Sequence, residues 1–392
     1  MKYNFDKQIS RRGTDSYKWD SAESENVLPM WVADMDFRTA PSVVEALKRR
    51  VEHGIFGYVR VPDAYYEAIT GWFAGRHGWQ IEKEWIIYTT GVVPALSAVI
   101  KALTTPGDKV IVQTPVITAF SPPSAITDAR FAANPLIYMD GTYQMDFIDL
   151  ERKAADPSVK VLLLCNPHNP AGRVWTKQEL TRLGEICLRN NVWVVADEIH
   201  CELVFPGHTY IPFASVSEEF LMHSVTCTSP SKAFNLAGLQ IANIVSADAD
   251  IRMKINKAIN INEVCDVNPF GVEALIAAYN DGAEWLEELN QYLFANYHCL
   301  RAYFDKYLPE FPVMPLEGTY LVWVDCSALK QSSENIVKTL LEKEKLWVNE
   351  GNLYGEAGEG FVRINIACPR QRLIEGLNRM RRALSSPITS FT

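Results

Sequence analysis

The 392-residue sequence has no apolar run long enough to cross a bilayer, and Met1-Lys-Tyr-Asn-Phe-Asp6 carries no apolar signal core. Neither export nor membrane anchoring is expected, and the chain reads as cytoplasmic. Positive charge is in deficit: 38 Lys and Arg face 47 Asp and Glu, for a net charge of −9. That balance argues against a broad surface for nucleic acid or anionic lipid, while leaving room for one local arginine that grips an anion. Eight cysteines occur without Cys-x-x-Cys spacing, and the seven histidines do not cluster with them in a metal-ligand pattern. Zinc is therefore unexpected, and the thiols read as reduced and mostly buried. No internal repeat or low-complexity tract occurs.

What is present suits a large soluble core: 48% of residues are hydrophobic and 22% charged, enough for two domains. The stretch Thr226-Cys-Thr-Ser-Pro-Ser-Lys232-Ala-Phe-Asn-Leu organises the rest. It follows an apolar segment, Leu221 to Val225, expected as a strand, and crowds Thr228, Ser229 and Ser231 against one lysine with no acid nearby. A lysine shielded from water loses its proton near neutral pH and attacks carbonyls as a free amine. Ser-x-x-Lys also suits a phosphate, although the motif is short and the plainer reading of it alone is a loop lysine after a buried strand.

Strand–helix alternation predicts an α/β sheet. Strands are expected at 86–90, 109–113, 131–139, 159–165, 192–196 and 241–245. Helices are expected at 42–53, 63–77, 92–103 and 176–190, capped by Ser42 and Thr176 with Glu45 and Glu179 in capping-box positions. Ligands bind beyond the carboxyl ends of such strands. Gly91, Asn169, Asp197 and Lys232 each fall just after a separate strand. Residues 250–307 are expected to be mainly helical. A small α+β unit should follow, with strands at 319–325, 346–349 and 360–368 and helices at 333–345 and 370–384. In Phe361-Val-Arg363-Ile, the arginine is either an edge residue facing water or a buried fork for a carboxylate.

The set Thr90-Gly91-Val92, Asn169-Pro-Ala-Gly172, Asp197-Glu-Ile-His200, Ser229-Pro-Ser-Lys232 and Arg363 resembles the fold type I pyridoxal-phosphate enzymes of the class I/II aminotransferase superfamily. Order and separation match over almost the whole chain, and five weak motifs in register are together specific. Met30-Trp-Val-Ala-Asp-Met-Asp-Phe37, Phe56-Gly-Tyr58, Ser231-Lys-Ala-Phe-Asn235 and Gly360 to Pro369 look like one subgroup, the cystathionine β-lyases or C–S lyases.

The resemblance implies a large cofactor domain with a mostly parallel sheet (46–281) and a smaller α+β domain built from 282–392 and an N-terminal arm (1–45). It implies pyridoxal 5′-phosphate carried covalently by Lys232, which later takes the proton from the substrate Cα. Asp197 would keep the pyridine nitrogen protonated, and Asn169 and His200 would reach the ring oxygen. Gly91, Val92, Ser229 and Ser231 would hold the phosphate. Arg363 would bind the substrate carboxylate, with Ala33 and Asn169 beside it. Tyr58 would reach the phosphate site of a second subunit, which implies a homodimer with shared active sites. Ile117 stands where the family usually stacks an aromatic on the cofactor ring, and Gln240 where many aminotransferases place a phosphate-binding arginine. The implied reaction is α,β-elimination from a sulfur amino acid. Alternatives are transamination at the same site and a regulatory binding protein on the same fold.

Overall fold

The run Val159–Cys165, apolar except at Lys160, lies in the middle of a seven-stranded sheet. The computed structural model describes residues 1–22, 24–116, 129–261 and 267–385. Strand β1 (Leu28–Pro29) follows an N-terminal arm, then come helices α1 (Pro41–His53) and α2 (Asp63–His77). The alternating region holds β2 (Ile86–Thr89), α3 (Val92–Leu103), β3 (Lys109–Val112), β4 (Arg130–Ala133), the hairpin β5 (Ile137–Met139) and β6 (Thr142–Gln144), and α4 (Phe147–Ala154). It continues through β7 (Val159–Cys165), α5 (Lys177–Arg189), β8 (Trp193–Asp197), α6 (Glu218–Met222), β9 (Ser224–Thr228) and β10 (Ala242–Val245). Helices α7 (Ala249–Asn260), α8 (Pro269–Asp281) and α9 (Ala283–Tyr307) lead to β11 (Leu321–Asp325), α10 (Ser333–Glu344), β12 (Leu346–Trp347), β13 (Asn349–Glu350), β14 (Phe361–Asn365) and α11 (Arg370–Ser385).

The sheet runs β2-β10-β9-β8-β7-β3-β4, and β10 alone is antiparallel to its neighbours. Period-two alternation sends Leu162, Leu164, Val194 and Ala196 toward α4 and α5, and Val161, Leu163, Cys165 and Val195 toward α3 and α7. Both faces are covered, so the strands read as unbroken apolar runs. In the C-terminal part, β11-β14-β13 form an antiparallel sheet, while β1 pairs in parallel with β12.

Five expectations are corrected. Ser42 is not the cap of α1: Pro41 occupies the first turn, no side chain caps the helix, and the Ser42 hydroxyl donates to the Ala277 carbonyl. The segment before the lysine loop is helical through Met222, because Ser217 accepts from the Phe220 amide and starts α6, so the strand begins only at Ser224. The expected strand 131–139 breaks at Asn134-Pro135, where proline has no N–H to give a ladder. Thr319 sits at φ 71, which a strand cannot use, and β11 starts at Leu321. The expected strand 346–349 is two strands with different partners, β12 on β1 and β13 on β14. The Thr176–Glu179 capping box is present as expected.

Candidate active site

At the carboxyl ends of β7, β8 and β9, a cavity of about 220 Å³ opens. Its wall includes Gly91, Val92, Asn169, Asp197, His200, Ser231 and Lys232, which are seven of the residues expected from sequence. Parallel strands bring their carboxyl ends to one edge, which is why residues this far apart in the chain converge. Asp197 closes β8 in register with Cys165 on β7 and Cys227 on β9. One of its oxygens accepts from the Ile199 amide at 3.1 Å. Burial raises its carboxyl to about 6, against the pull of that amide and of Lys232.

Lys232 is half-buried in the cavity wall, and its amine donates to the Ala33 carbonyl at 2.7 Å. Burial, with the charge of Arg363, lowers its pKa to about 8, against the opposing fields of Asp34 and Asp197. Near physiological pH a minor but useful fraction of this amine is therefore neutral, far more than for a solvated lysine. A titration of aldehyde capture follows from that value. Borohydride-trapped pyridoxal phosphate should accumulate on Lys232 at a rate that rises through about pH 8. A midpoint near 10.5, the unshifted value, would show the amine to be solvated.

Arg363 lies on β14 and is 3% exposed. It is the buried fork, not an edge residue facing water. Nη1 donates to Asn169 Oδ1 at 3.1 Å and Nη2 to the Trp31 carbonyl at 2.7 Å. Among the described residues no carboxylate pairs with it, and its Nε is buried without a partner. Asn169 Nδ2 and His200 Nδ1 are also buried and unpartnered. Buried polar atoms are nearly always satisfied, so the orphans on Asn169 and His200 in the cavity wall, with that on Arg363 bonded to Asn169, mark a place for a polar ligand. Burial drives the His200 imidazole to its neutral form, helped by the charges of Lys232 and Arg363. Its ring meets Tyr320 at 6.0 Å between centroids.

The donor set suits pyridoxal phosphate. A partly neutral amine could take its aldehyde, a carboxylate would suit its ring nitrogen, amide and imidazole groups its ring oxygen, and the N-terminus of α3 its phosphate. Ser229 stands apart: its hydroxyl donates to the Ile241 carbonyl at 2.6 Å and accepts from the Ser231 amide, and it is not part of the cavity wall. Gln240, held in a left-handed conformation at φ 52, is part of the wall. Tyr58 is 96% exposed and touches the cavity nowhere. Ile117 lies outside the described residues.

Several contributors were not legible in the sequence. Ile199 and Cys165 line the cavity. Tyr320 donates to the same Ala33 carbonyl as Lys232, at 2.9 Å. Asn235 latches the other half of the 31–37 segment, with Oδ1 accepting from the Met35 amide and Nδ2 donating to the Met35 and Phe37 carbonyls. Elsewhere, His77, Cys201 and Glu202 bring one potential ligand atom each within 4.8 Å of one another. Glu202 there already accepts from Trp72 and Arg76, and Arg76 supplies its countercharge.

A family model for aminotransferase class I and II matches residues 25–380. Cystathionine beta-lyase PatB of Bacillus subtilis is 44% identical over 97% of this chain and 100% of its own. The crystal structure of cystalysin from Treponema denticola, which contains a pyridoxal 5′-phosphate cofactor, superposes with a TM-score of 0.95 at 35% identity, over 98% of this chain and 99% of that one. The pyridoxal-phosphate-bound C–S lyase of Staphylococcus hominis gives 0.92 at 34%, over 98% and 100%.

Proposed function

This chain belongs to the class I and II aminotransferase family, and we propose that within it the protein is a pyridoxal-phosphate-dependent C–S lyase that cleaves sulfur amino acids to thiol, pyruvate and ammonia. The observation that carries the reading is a pair of cations linked through the cavity wall: Lys232 lines the cavity, and the buried Arg363 bonds Asn169, which also lines it. Both rest on main-chain or amide oxygens and not on carboxylates, and Arg363 keeps a free Nε. A buried guanidinium without a counter-ion is costly unless an anion arrives, and a substrate α-carboxylate is that anion. The choice of C–S lyase over aminotransferase rests on full-length similarity to lyases.

When bound, pyridoxal phosphate supplies the electron sink that acidifies the substrate Cα. Lys232 would hold it, and the same amine is placed to take the substrate Cα proton. Asp197 would pair with its ring nitrogen, and Asn169 and His200 would serve its ring oxygen. Gly91, Val92 and Ser231 would hold its phosphate at the start of α3, with Ser229 supporting Ser231. Arg363, with Asn169 and the Ala33 main chain, fixes the carboxylate and so aligns the Cα–H bond. A thiolate is a good leaving group from Cβ, which favours elimination over proton return.

The almost wholly exposed Tyr58 supports a homodimer in which it completes the partner's phosphate site. Among the described residues no helix is long and apolar enough to cross a membrane, and we place the enzyme in the cytoplasm. We keep the two-domain division but move its first boundary from residue 45 to the start of α1, because that helix is continuous and packs on α8.

The deciding experiment gives purified holoenzyme L-cystathionine or a cysteine S-conjugate and no keto acid. Repeated turnover, with thiol and pyruvate released together, is expected. A reaction that stops after one equivalent per site and resumes only when a keto acid is added would make the protein an aminotransferase. A colourless protein that takes up no pyridoxal phosphate would instead favour a binding role.

A further inference from the structure

Arg363 is held along its edges by Asn169 and the Trp31 carbonyl, but edge contacts alone leave the guanidinium free to rock about the line that joins them. A flat surface against its face would remove that freedom. The structure sets the guanidinium over an aromatic ring. The guanidinium carbon lies 5.1 Å from the centroid of the Tyr354 ring.

That ring is fixed at several points. Its hydroxyl accepts from Asn349 Nδ2 at 2.8 Å, and Asn349 is itself the residue opposite Arg363 in the β13–β14 ladder. Its edge meets Trp323 at 5.4 Å and 80°. Its own carbonyl accepts from the Val116 amide at 2.9 Å. The surrounding turn leaves no slack. A Cβ on Gly351 would lie 2.0 Å from the Gly358 carbonyl oxygen, so the two glycines let the chain fold back on itself and press Tyr354 inward. Tyr354 is 3% exposed.

We propose that Tyr354 is a positioning residue for Arg363, holding the guanidinium plane where it meets a substrate carboxylate in two-point fashion. The proposal rests on the reading of Arg363 as the carboxylate anchor. Its physical basis is twofold. The ring face is the negative end of a quadrupole and steadies a cation that lacks a carboxylate partner. A planar fork kept flat and aimed loses little entropy when it closes on two oxygens. Tyr354 therefore acts through Arg363 and touches no reacting atom.

A double-mutant cycle on the pyridoxal-phosphate-loaded enzyme tests this, read by calorimetric binding of methylthiopropionate, a carboxylate that lacks the amine and cannot react. Tyr354→Leu should weaken binding about 5- to 30-fold, the scale of a desolvated cation–ring contact. It should raise KM for L-cystathionine by a similar factor and leave kcat within about threefold. Tyr354→Phe keeps the ring and should stay within about threefold of wild type, since only the Asn349 hydrogen bond is lost. In an Arg363→Ala background, Tyr354→Leu should have no further effect on binding beyond about twofold. If Tyr354→Leu does not fold, Tyr354→Met fills the space without a flat face and takes its place. Unchanged binding in the leucine variant, or losses that simply add to those of Arg363→Ala, would overturn the positioning role while leaving the anchor intact. Unchanged binding in Arg363→Ala alone would overturn the anchor itself, and Tyr354 with it.

Discussion

Lys232→Ala should purify folded and lose at least about 10⁴-fold in turnover, because the residue both holds the cofactor and moves the Cα proton, and general base catalysis alone reaches that scale. The fold should survive. Among the described residues the amine makes one hydrogen bond, and its acceptor, the Ala33 carbonyl, keeps Tyr320 as a donor. No carboxylate is left facing an empty space at bonding distance, so the stability change should stay within about 1–2 kcal/mol, in the ordinary range for a point substitution. Asp197 does lose a favourable neighbour, and its carboxyl should become still easier to protonate. The check is spectroscopic and chemical together. The visible band of the covalent adduct should be missing, and borohydride followed by peptide mass analysis should find no fixed cofactor. One equivalent of pyridoxal phosphate fixed on another lysine would refute the assignment.

Asp197→Ala should cost about 10²- to 10³-fold in turnover, the range for removing one preorganised electrostatic contact from a site sheltered from water. The carboxylate is well placed for that role because burial has stripped it of solvent. Of its two oxygens only one is engaged, by the Ile199 amide, and the other is left for a ring N–H. Covalent attachment should persist, since Lys232 remains. Its amine should titrate lower than in the wild type, because Asp197 is one of the two acids that support its protonated form. Asp197→Asn serves as the companion of equal size, separating lost charge from lost volume. Turnover within about threefold of wild type for both variants would place Asp197 outside the cofactor site.

Much of the site could be read from the chain because its residues sit directly after apolar runs. Gly91, Asp197 and Lys232 follow strand ends, and a parallel sheet gathers strand ends at one edge. The run to Cys165 was legible for the same reason: a strand buried on both faces has no other composition. What escaped depends on pairings that no local pattern encodes. Tyr320 and Asn235 reach residues 287 and 200 positions away. Glu202 and His77 meet across 125 positions, and nothing near either one signals it. Ser42 misled because a good capping residue was followed by an acid at the right interval, while the proline before it already supplied the start of the helix. The hydroxyl of Ser229 misled in another way. Its position in the motif was right, but local geometry directs it to a main-chain acceptor.

The segment Trp31-Val-Ala-Asp-Met35 carries one further consequence. Its successive carbonyls are taken by side chains from elsewhere: Arg363 on Trp31, Asn365 on Val32 and Asp34, Lys232 and Tyr320 on Ala33, Asn235 and Arg11 on Met35. Every amino acid offers the same carbonyl. The instructions for building this wall of the site are therefore written in the residues that grip it and not in the segment itself. Ala33 and Val32 should tolerate exchange for other residues of similar size, whereas Asn365 and Asn235, remote from any chemistry, should resist it. Genetic drift can then retouch the surface next to the substrate without loosening the two cations, a division of labour that lets one scaffold change its taste in side chains while its reaction stays the same.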